Sequence, residues 1–167
     1  MFRKICNFLL GVLIIGLLVI AGLLLVPRLL GMQSLAVLSG SMEPEISVGS
    51  IVYAEPVEPE SLEVGDVITY QLGEDTRVTH RITEINEEEQ TFITKGDAND
   101  NVDGLPVPYS NVVGQVKYHV PYLGYISIYI KTPLGIAVGC GILIVIILLN
   151  FLPDIFSSEE EKKEKKK

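Results

Sequence analysis

The chain has no tryptophan and only two cysteines, Cys6 and Cys140, in 167 residues. Both cysteines fall in or beside apolar blocks near the ends. The stretch between those blocks has none, so no disulfide frames it and no thiolate is available there as a nucleophile or metal ligand. Cations are scarce in the same stretch. From Met32 to Lys131, sixteen Asp and Glu stand against five Lys and Arg, a net charge of −11 within a whole-chain charge of −8. Phosphate backbones are bound by basic clusters, so nucleic acid is excluded as a partner. There is no internal repeat and no glycine- or proline-rich linker of any length. The run Glu87-Glu88-Glu89 reads as solvated surface.

What the chain does have is two long apolar runs. Phe8 to Val26 is nineteen residues without a charge, closed by Pro27 and Arg28. That is close to the ~20 residues that cross a bilayer as a helix. A cleaved secretory leader is the rival, but its apolar region usually spans roughly 7–15 residues. Cleavage near Val37 or Ser39 would also cut into the most distinctive run of the sequence. A retained anchor is therefore expected. Leu134 to Leu152, bounded by Pro133 and Pro153, gives a second nineteen-residue run with a single polar residue, Asn150. Positive residues near spans tend to stay cytoplasmic. Arg3 and Lys4 do so at one end and the lysines from Lys162 to Lys167 at the other; Arg28 opposes weakly. The expected organisation is a cytoplasmic N-terminus at 1–7, transmembrane helices at 8–26 and 134–152, an extracytoplasmic domain at 32–131, and a charged cytoplasmic tail at 153–167. The lipid bilayer is thus an expected partner.

The middle reads as short strands between turns. Ser50 to Ala54, Val67 to Leu72, Arg77 to Ile85, Thr91 to Thr94 and Asn111 to Tyr118 carry β-branched and aromatic residues, with turn signals such as Gly73-Glu74-Asp75 between them. Val78, His80 and Ile82 share one face of their strand; Thr79, Arg81 and Thr83 share the other. No segment here has convincing helical periodicity. The pattern predicts a mostly β fold, a small antiparallel sheet or partial barrel flanked by two transmembrane helices. Tyr118, Tyr122, Tyr125 and Tyr129 suit either a membrane interface or the domain core.

Three clusters could carry chemistry. Leu38-Ser39-Gly40-Ser41-Met42-Glu43-Pro44 sets a serine on a small-residue turn between the first apolar run and the β region. Gly40 admits close backbone approach, and Pro44 biases Glu43 towards an extended form. Read alone, such a turn is more often a polar connector than a nucleophile. His80, on an apolar strand face, is either a satisfied core residue or a base for a serine hydroxyl. Lys95-Gly96-Asp97-Ala98-Asn99-Asp100-Asn101-Val102-Asp103-Gly104 has alternating oxygen ligands but not the calcium-loop pattern. Val102 stands where the turn glycine belongs and Pro108 where the bidentate glutamate belongs. No metal and no cofactor is expected. A carboxylate from this run could instead orient a histidine.

Together these boxes resemble those of type I signal peptidases of the kind found in archaea, the endoplasmic reticulum and some Gram-positive bacteria. The boxes are Ser39-Gly40-Ser41-Met42-Glu43-Pro44, Val78-Thr79-His80-Arg81-Ile82, and Lys95-Gly96-Asp97-Ala98-Asn99 followed by Asp103. Val64-Gly65-Asp66-Val67 is also similar, and the likeness covers roughly 35–125 behind an anchor in the expected place. It implies a membrane-bound serine endopeptidase that removes signal peptides from secreted preproteins, with its site close to the bilayer. Ser41 would be the nucleophile and His80 the general base, where the ordinary bacterial branch has a lysine. Asp97 and Asp103 match the acidic positions, and either could orient His80. Ser39 matches a position whose hydroxyl helps the Ser41 N–H hold the oxyanion. Signal-peptide-bearing preproteins are the implied partners, and association with secretion machinery stays open. Two rivals stand beside this reading. One is Ser–Lys chemistry with Lys95 as base. The other is a non-catalytic, membrane-anchored β module that binds exported proteins.

Overall fold

The computed structural model describes residues 2–164, with side chains for 3–151. It divides into two units, one holding the apolar helical segments at the two ends and the other spanning Leu24–Ile128. The first apolar run forms helix α1, Phe2–Leu29, which continues through Pro27. It is followed by a tight turn in which Gly31 adopts φ +88°, a conformation that favours glycine. The second forms helix α3, Pro133–Glu164. Both are long and apolar enough to cross a membrane, over Arg3–Leu29 and Pro133–Phe151. Pro153 does not end α3, although a proline removes one intrahelical hydrogen bond. The sequence placed the end of the span there. Lys165 to Lys167 of the predicted tail lie outside the described residues.

The globular unit is one antiparallel sheet of seven strands. They are β1 (Gln33–Ala36), β2 (Ile51–Glu55), β3 (Val67–Leu72), β4 (Thr76–Asn86), β5 (Thr91–Lys95), β6 (Val107–Pro108) and β7 (Val112–Val120). Their order is β1-β2-β7-β3-β4-β5-β6. The mostly β antiparallel fold with a candidate membrane helix at each end is as the sequence predicts. Its five expected strands are all present, each within two residues of its expected ends. Two were not foreseen. Gln33–Ala36 is only four residues close behind the apolar run, and Val107–Pro108 is only two residues long, between Pro106 and Tyr109.

Strand alternation, with apolar residues from the connecting segments, builds two apolar clusters. Leu62, Ile68, Tyr70, Ile82, Phe92 and Val107 form one. Met42, Ile46 and Val52 form the other, with Leu35, Val37, Val67 and Val116 against it. Tyr118 stacks on fully buried Tyr53, with ring centroids 4.7 Å apart, so this tyrosine packs on the sheet. A short helix, α2 (Leu123–Tyr129), also departs from the expected all-strand pattern. Its start is seated on the Gly49 turn: the Gly124 N–H donates to the Gly49 carbonyl at 2.8 Å. A Cβ on Gly124 would lie 2.6 Å from the carbonyl oxygens of Gly49 and Ser50, which leaves room only for glycine.

The longest strand positions the site. β4 pairs with β3 over Thr76–Arg81 and with β5 over Arg81–Asn86. Only Arg81 is in both ladders; the second half beyond it pairs with β5 alone. The first half, Thr76 to His80, pairs with β3 alone, which leaves its β5-side edge free. β1 is an edge as well, paired only with β2.

Candidate active site

Ser41 sits in the turn that leads from β1 back to β2, and the turn is held by its neighbours. Met42 and Ile46 are each 2% exposed, and the Ile46 N–H donates to the Met42 carbonyl at 2.8 Å. Burying two such side chains is worth about 1.5–3 kcal/mol each. With Met42 and Ile46 inside, Ser41 is left half-exposed. The Ser39 and Ser41 hydroxyl oxygens lie 3.4 Å apart. Gly40 does not provide the close approach its position suggests. A Cβ there would meet only the Glu43 carboxyl, at an ordinary 3.5 Å.

The close approach is at Gly96. A Cβ on Gly96 would stand 2.5 Å from the Ser41 carbonyl oxygen, 2.8 Å from Asn99 Nδ2 and 3.0 Å from His80 Nε2. Two residues on, the Ala98 N–H donates to the Ser41 carbonyl at 2.9 Å. The turn after β5 is thus pressed against both the serine segment and the imidazole. Any side chain at Gly96 would push them apart.

His80 is buried on β4 and faces two ways. Its Nδ1 lies 2.6 Å from Asp103 Oδ2. Its Nε2 is the atom that faces Gly96 beside Ser41. A carboxylate on Nδ1 selects the tautomer that leaves Nε2 free to accept a proton. Asp103 is held in turn by three further contacts. Its Oδ2 accepts from Thr94 Oγ1 at 2.6 Å and from the Tyr70 hydroxyl at 3.2 Å, and its N–H donates to the Thr94 carbonyl at 2.8 Å. Burial alone would push the Asp103 carboxyl up. The hydrogen bonds from His80, Thr94 and Tyr70 and the charge of His80 together outweigh it, and its pKa falls below the ordinary value. Burial, with the nearby carboxylate and against the Thr94 hydrogen bond, pushes the Tyr70 phenol up to about 12.

Asp97 goes elsewhere. It forms a two-pronged pair with Arg81, Nε to Oδ1 at 2.9 Å and Nη2 to Oδ2 at 2.6 Å, while Arg81 Nη1 donates to the Gly65 carbonyl. This pairing raises the Arg81 pKa. The two carboxylates of one sequence box therefore diverge: Asp103 meets His80 and Asp97 meets Arg81. Lys95 pairs across the ladder with Arg81. By strand alternation its side chain leaves on the Arg81 face, opposite His80 and Thr94. Among the described residues, no three His, Cys, Asp or Glu side chains gather to hold a metal ion.

Ser39, Ser41 and His80 line one groove of about 390 Å³. Leu35, Ala36 and Val37 form one wall and Thr76 to Thr79 the other, with Met42, Ile46 and Val52 also lining it. The groove lies between two unpaired strand edges, β1 and the first half of β4. Sequence reading did not find Thr94, Tyr70 or Gly96 as members of the site. Thr94 alone carried a hint, because it alternates with Phe92 on the buried face of its strand.

No protein-family model matches the chain. It is 41% identical over 92 residues to signal peptidase I W of Bacillus subtilis, covering 53% of this chain and 48% of that protein. It is 37% identical over 107 residues to the signal peptidase complex catalytic subunit SEC11 of Candida tropicalis, covering 57% and 63%. To SEC11C of the dog it is 31% identical over 103 residues, covering 55% and 54%. The chain thus spans about half to three-fifths of the length of these relatives. By sequence, this chain is a relative of the type I signal peptidases of the endoplasmic-reticulum and Gram-positive kind.

Proposed function

We propose that this chain is a membrane-bound serine endopeptidase that removes signal peptides from secreted preproteins. In this reading Ser41 is the nucleophile, His80 the general base and Asp103 the group that orients it. The observation that carries it is the two-sided setting of one imidazole: Asp103 bonds Nδ1, and Nε2 lies at the Gly96 position that also abuts the Ser41 carbonyl. Asp97 then has a structural role through Arg81. The Ser–Lys rival is disfavoured because Lys95 leaves its strand on the opposite face.

The chemistry follows from the arrangement. His80 Nε2 accepts the Ser41 hydroxyl proton as the oxygen attacks the scissile carbonyl. The oxyanion is met by the Ser41 N–H and the Ser39 hydroxyl. Losing one such donor typically costs ~10²–10³ in rate. Nε2 returns the proton to the departing amine as the C–N bond breaks, leaving an ester on Ser41. Water then attacks that ester, giving its proton to His80, and the free Ser41 hydroxyl is restored. The substrate lies extended in the groove, its backbone pairing with the free edges of β1 and β4. The apolar walls take the small side chains upstream of the cut.

Two apolar helices anchor the enzyme, with both termini cytoplasmic and the sheet on the far side. A signal-bearing substrate is confined to the same membrane, which shortens the search. SEC11 relatives are by name subunits of a signal peptidase complex. Association with secretion machinery is the corresponding expectation for this chain. The test is cleavage of a model preprotein by the purified, detergent-solubilised protein, wild type against Ser41→Ala. A specific cut after a small residue, lost in the variant, is the expected result. Equal cutting by both removes Ser41 as nucleophile, and cutting by neither favours the binding module.

A further inference from the structure

The groove has a far end, and what closes it is not apolar. Arg77 Nη1 donates to Gln33 Oε1 at 3.0 Å. Gln33 is the first residue of β1, and Arg77 is the second residue of β4. These are the two strands whose edges flank the groove, and they are not neighbours in the sheet. The hydrogen bond is therefore a strap from one free edge to the other. Ser41 and His80 stand at one end of the groove and this strap at the other. Three strand steps separate His80 from Arg77, roughly 10 Å, which accommodates about three residues of an extended chain.

Arg77 is exposed and one of only five cations between Met32 and Lys131. Among the described residues it has no carboxylate partner, whereas Arg81 on the same face is paired with Asp97. Gln33 fixes one of its nitrogens and leaves the other donors of a planar, permanently charged fork free. A preprotein's upstream segment has to change character between the bilayer and the cut. Inside a bilayer an apolar segment must be a helix, because every backbone group has to be satisfied internally. Near the cut it must be extended to enter the groove. Between the two states the helix ends, and its last carbonyls carry no partner and a partial negative charge.

We propose that Arg77, held by Gln33, caps the C-terminal carbonyls of the substrate's signal helix. It would set how many extended residues separate that helix from the bond that is cut. The inference rests on the signal-peptidase reading and assigns a specificity determinant within it. It also fixes direction: the arm of the groove that contains Arg77 takes the segment upstream of the cut.

The experiment compares two substrates of one sequence. One is a preprotein with its full apolar signal; the other is a quenched fluorescent peptide with only three residues upstream of the same cut. Wild type, Arg77→Ala, Arg77→Lys and Gln33→Ala are assayed as full-length, detergent-solubilised proteins. Arg77→Ala should lose about five- to tenfold in kcat/KM on the preprotein, chiefly in KM, as for a charge at a helix terminus. Its loss on the short peptide should be smaller by that factor, and thermal unfolding of each variant serves as the folding control. Arg77→Lys should recover much of the loss, and Gln33→Ala should fall between. Equal losses on both substrates would mean that the strap only holds the groove's shape, and no loss on either would remove the cap. A dependence that follows downstream residues would reverse the assigned direction. If wild type cuts neither substrate, the parent reading fails and this inference goes with it; if wild type cuts both and the variants do not differ, only the inference fails.

Discussion

The two halves of β4 have nearly the same residue chemistry and opposite roles. From Arg81 to Asn86 the strand is zipped to β5, and its buried side chain Ile82 sits in the larger apolar cluster. From Thr76 to His80 the same strand has a free edge and forms a wall of the groove. His80 lies at the junction, one residue before pairing with β5 begins. On the β5 side the first half is therefore open and the second closed: the open edge gives access to the groove, and the closed one ties the strand of His80 to β5, whose Thr94 holds Asp103. A base needs both: a fixed carboxylate behind it and a substrate in front of it. Removing the chemistry at the junction, or loosening what lies behind it, should disable the site in distinguishable ways.

The largest effect should come from His80 itself. His80→Ala should reduce preprotein cleavage by at least about 10³-fold, since base and nucleophile act as one unit. Lys95→Ala should leave the rate within about threefold, because substitutions away from the reacting groups cost little. The assay is the same kinetic comparison for both variants. Loss of activity in Lys95→Ala with retention in His80→Ala would overturn the assignment in favour of Ser–Lys chemistry.

Next in size is Asp103→Asn. It keeps the shape of the side chain but removes the charge that selects the His80 tautomer, and should cost about 10²–10⁴ in kcat. Asp97→Asn should behave differently. It breaks the pair with Arg81, which is about one-third exposed, and so should cost roughly 1 kcal/mol of stability with a rate near wild type. Denaturant unfolding and kcat measured on both variants would show the split. A kcat loss in Asp97→Asn as large as in Asp103→Asn would make both carboxylates part of the reacting site.

Why the sequence could not separate these two aspartates is instructive. Asp97 and Asp103 sit in one polar turn, six residues apart, and nothing in composition or spacing distinguishes them. Their partners are set by ladder register. Arg81 opposite Lys95 brings Arg81 to the start of the turn, and the Asp103 N–H on the Thr94 carbonyl brings the turn's end back to the strand. Register is a tertiary property. The strands that alternate β-branched residues with turn signals were legible, and Ser41 and His80, singled out from the sequence, line one groove. β1 was not, because four residues following an apolar helix carry no alternation long enough to read. α2 was not either: its seven residues are short for a helical period, and the fit of Gly124 against the Gly49 turn decides its place. The Arg77–Gln33 strap joins residues 44 apart in sequence on strands that are not sheet neighbours, so no local pattern announces it.

A smaller effect should come from Tyr70, and it is read through pH. Tyr70 gives the Asp103 carboxylate its longest hydrogen bond, at 3.2 Å, while the shorter ones from His80 and Thr94 remain in its absence. Tyr70→Phe should therefore lower kcat only about two- to fivefold, as for one neutral hydrogen bond. The folded Asp103 carboxyl lies below its ordinary value, so its contribution to stability is fully present above that value and is lost as pH falls through the folded one. With one donor gone the folded value moves up towards the ordinary one, so the acid loss of stability in Tyr70→Phe should be smaller than in wild type and complete at higher pH. The phenol has the opposite sign. Its pKa is raised from 10.0 to about 12, so its contribution is present below the ordinary value and fades as pH rises through the folded one. Unfolding midpoints measured across both limbs test this: the acid limb of Tyr70→Phe should be shallower and level off at higher pH, and the alkaline loss due to this phenol should disappear. An unchanged acid limb would mean that Thr94 and His80 alone hold the carboxylate, and that the closed half of the site tolerates one fewer donor.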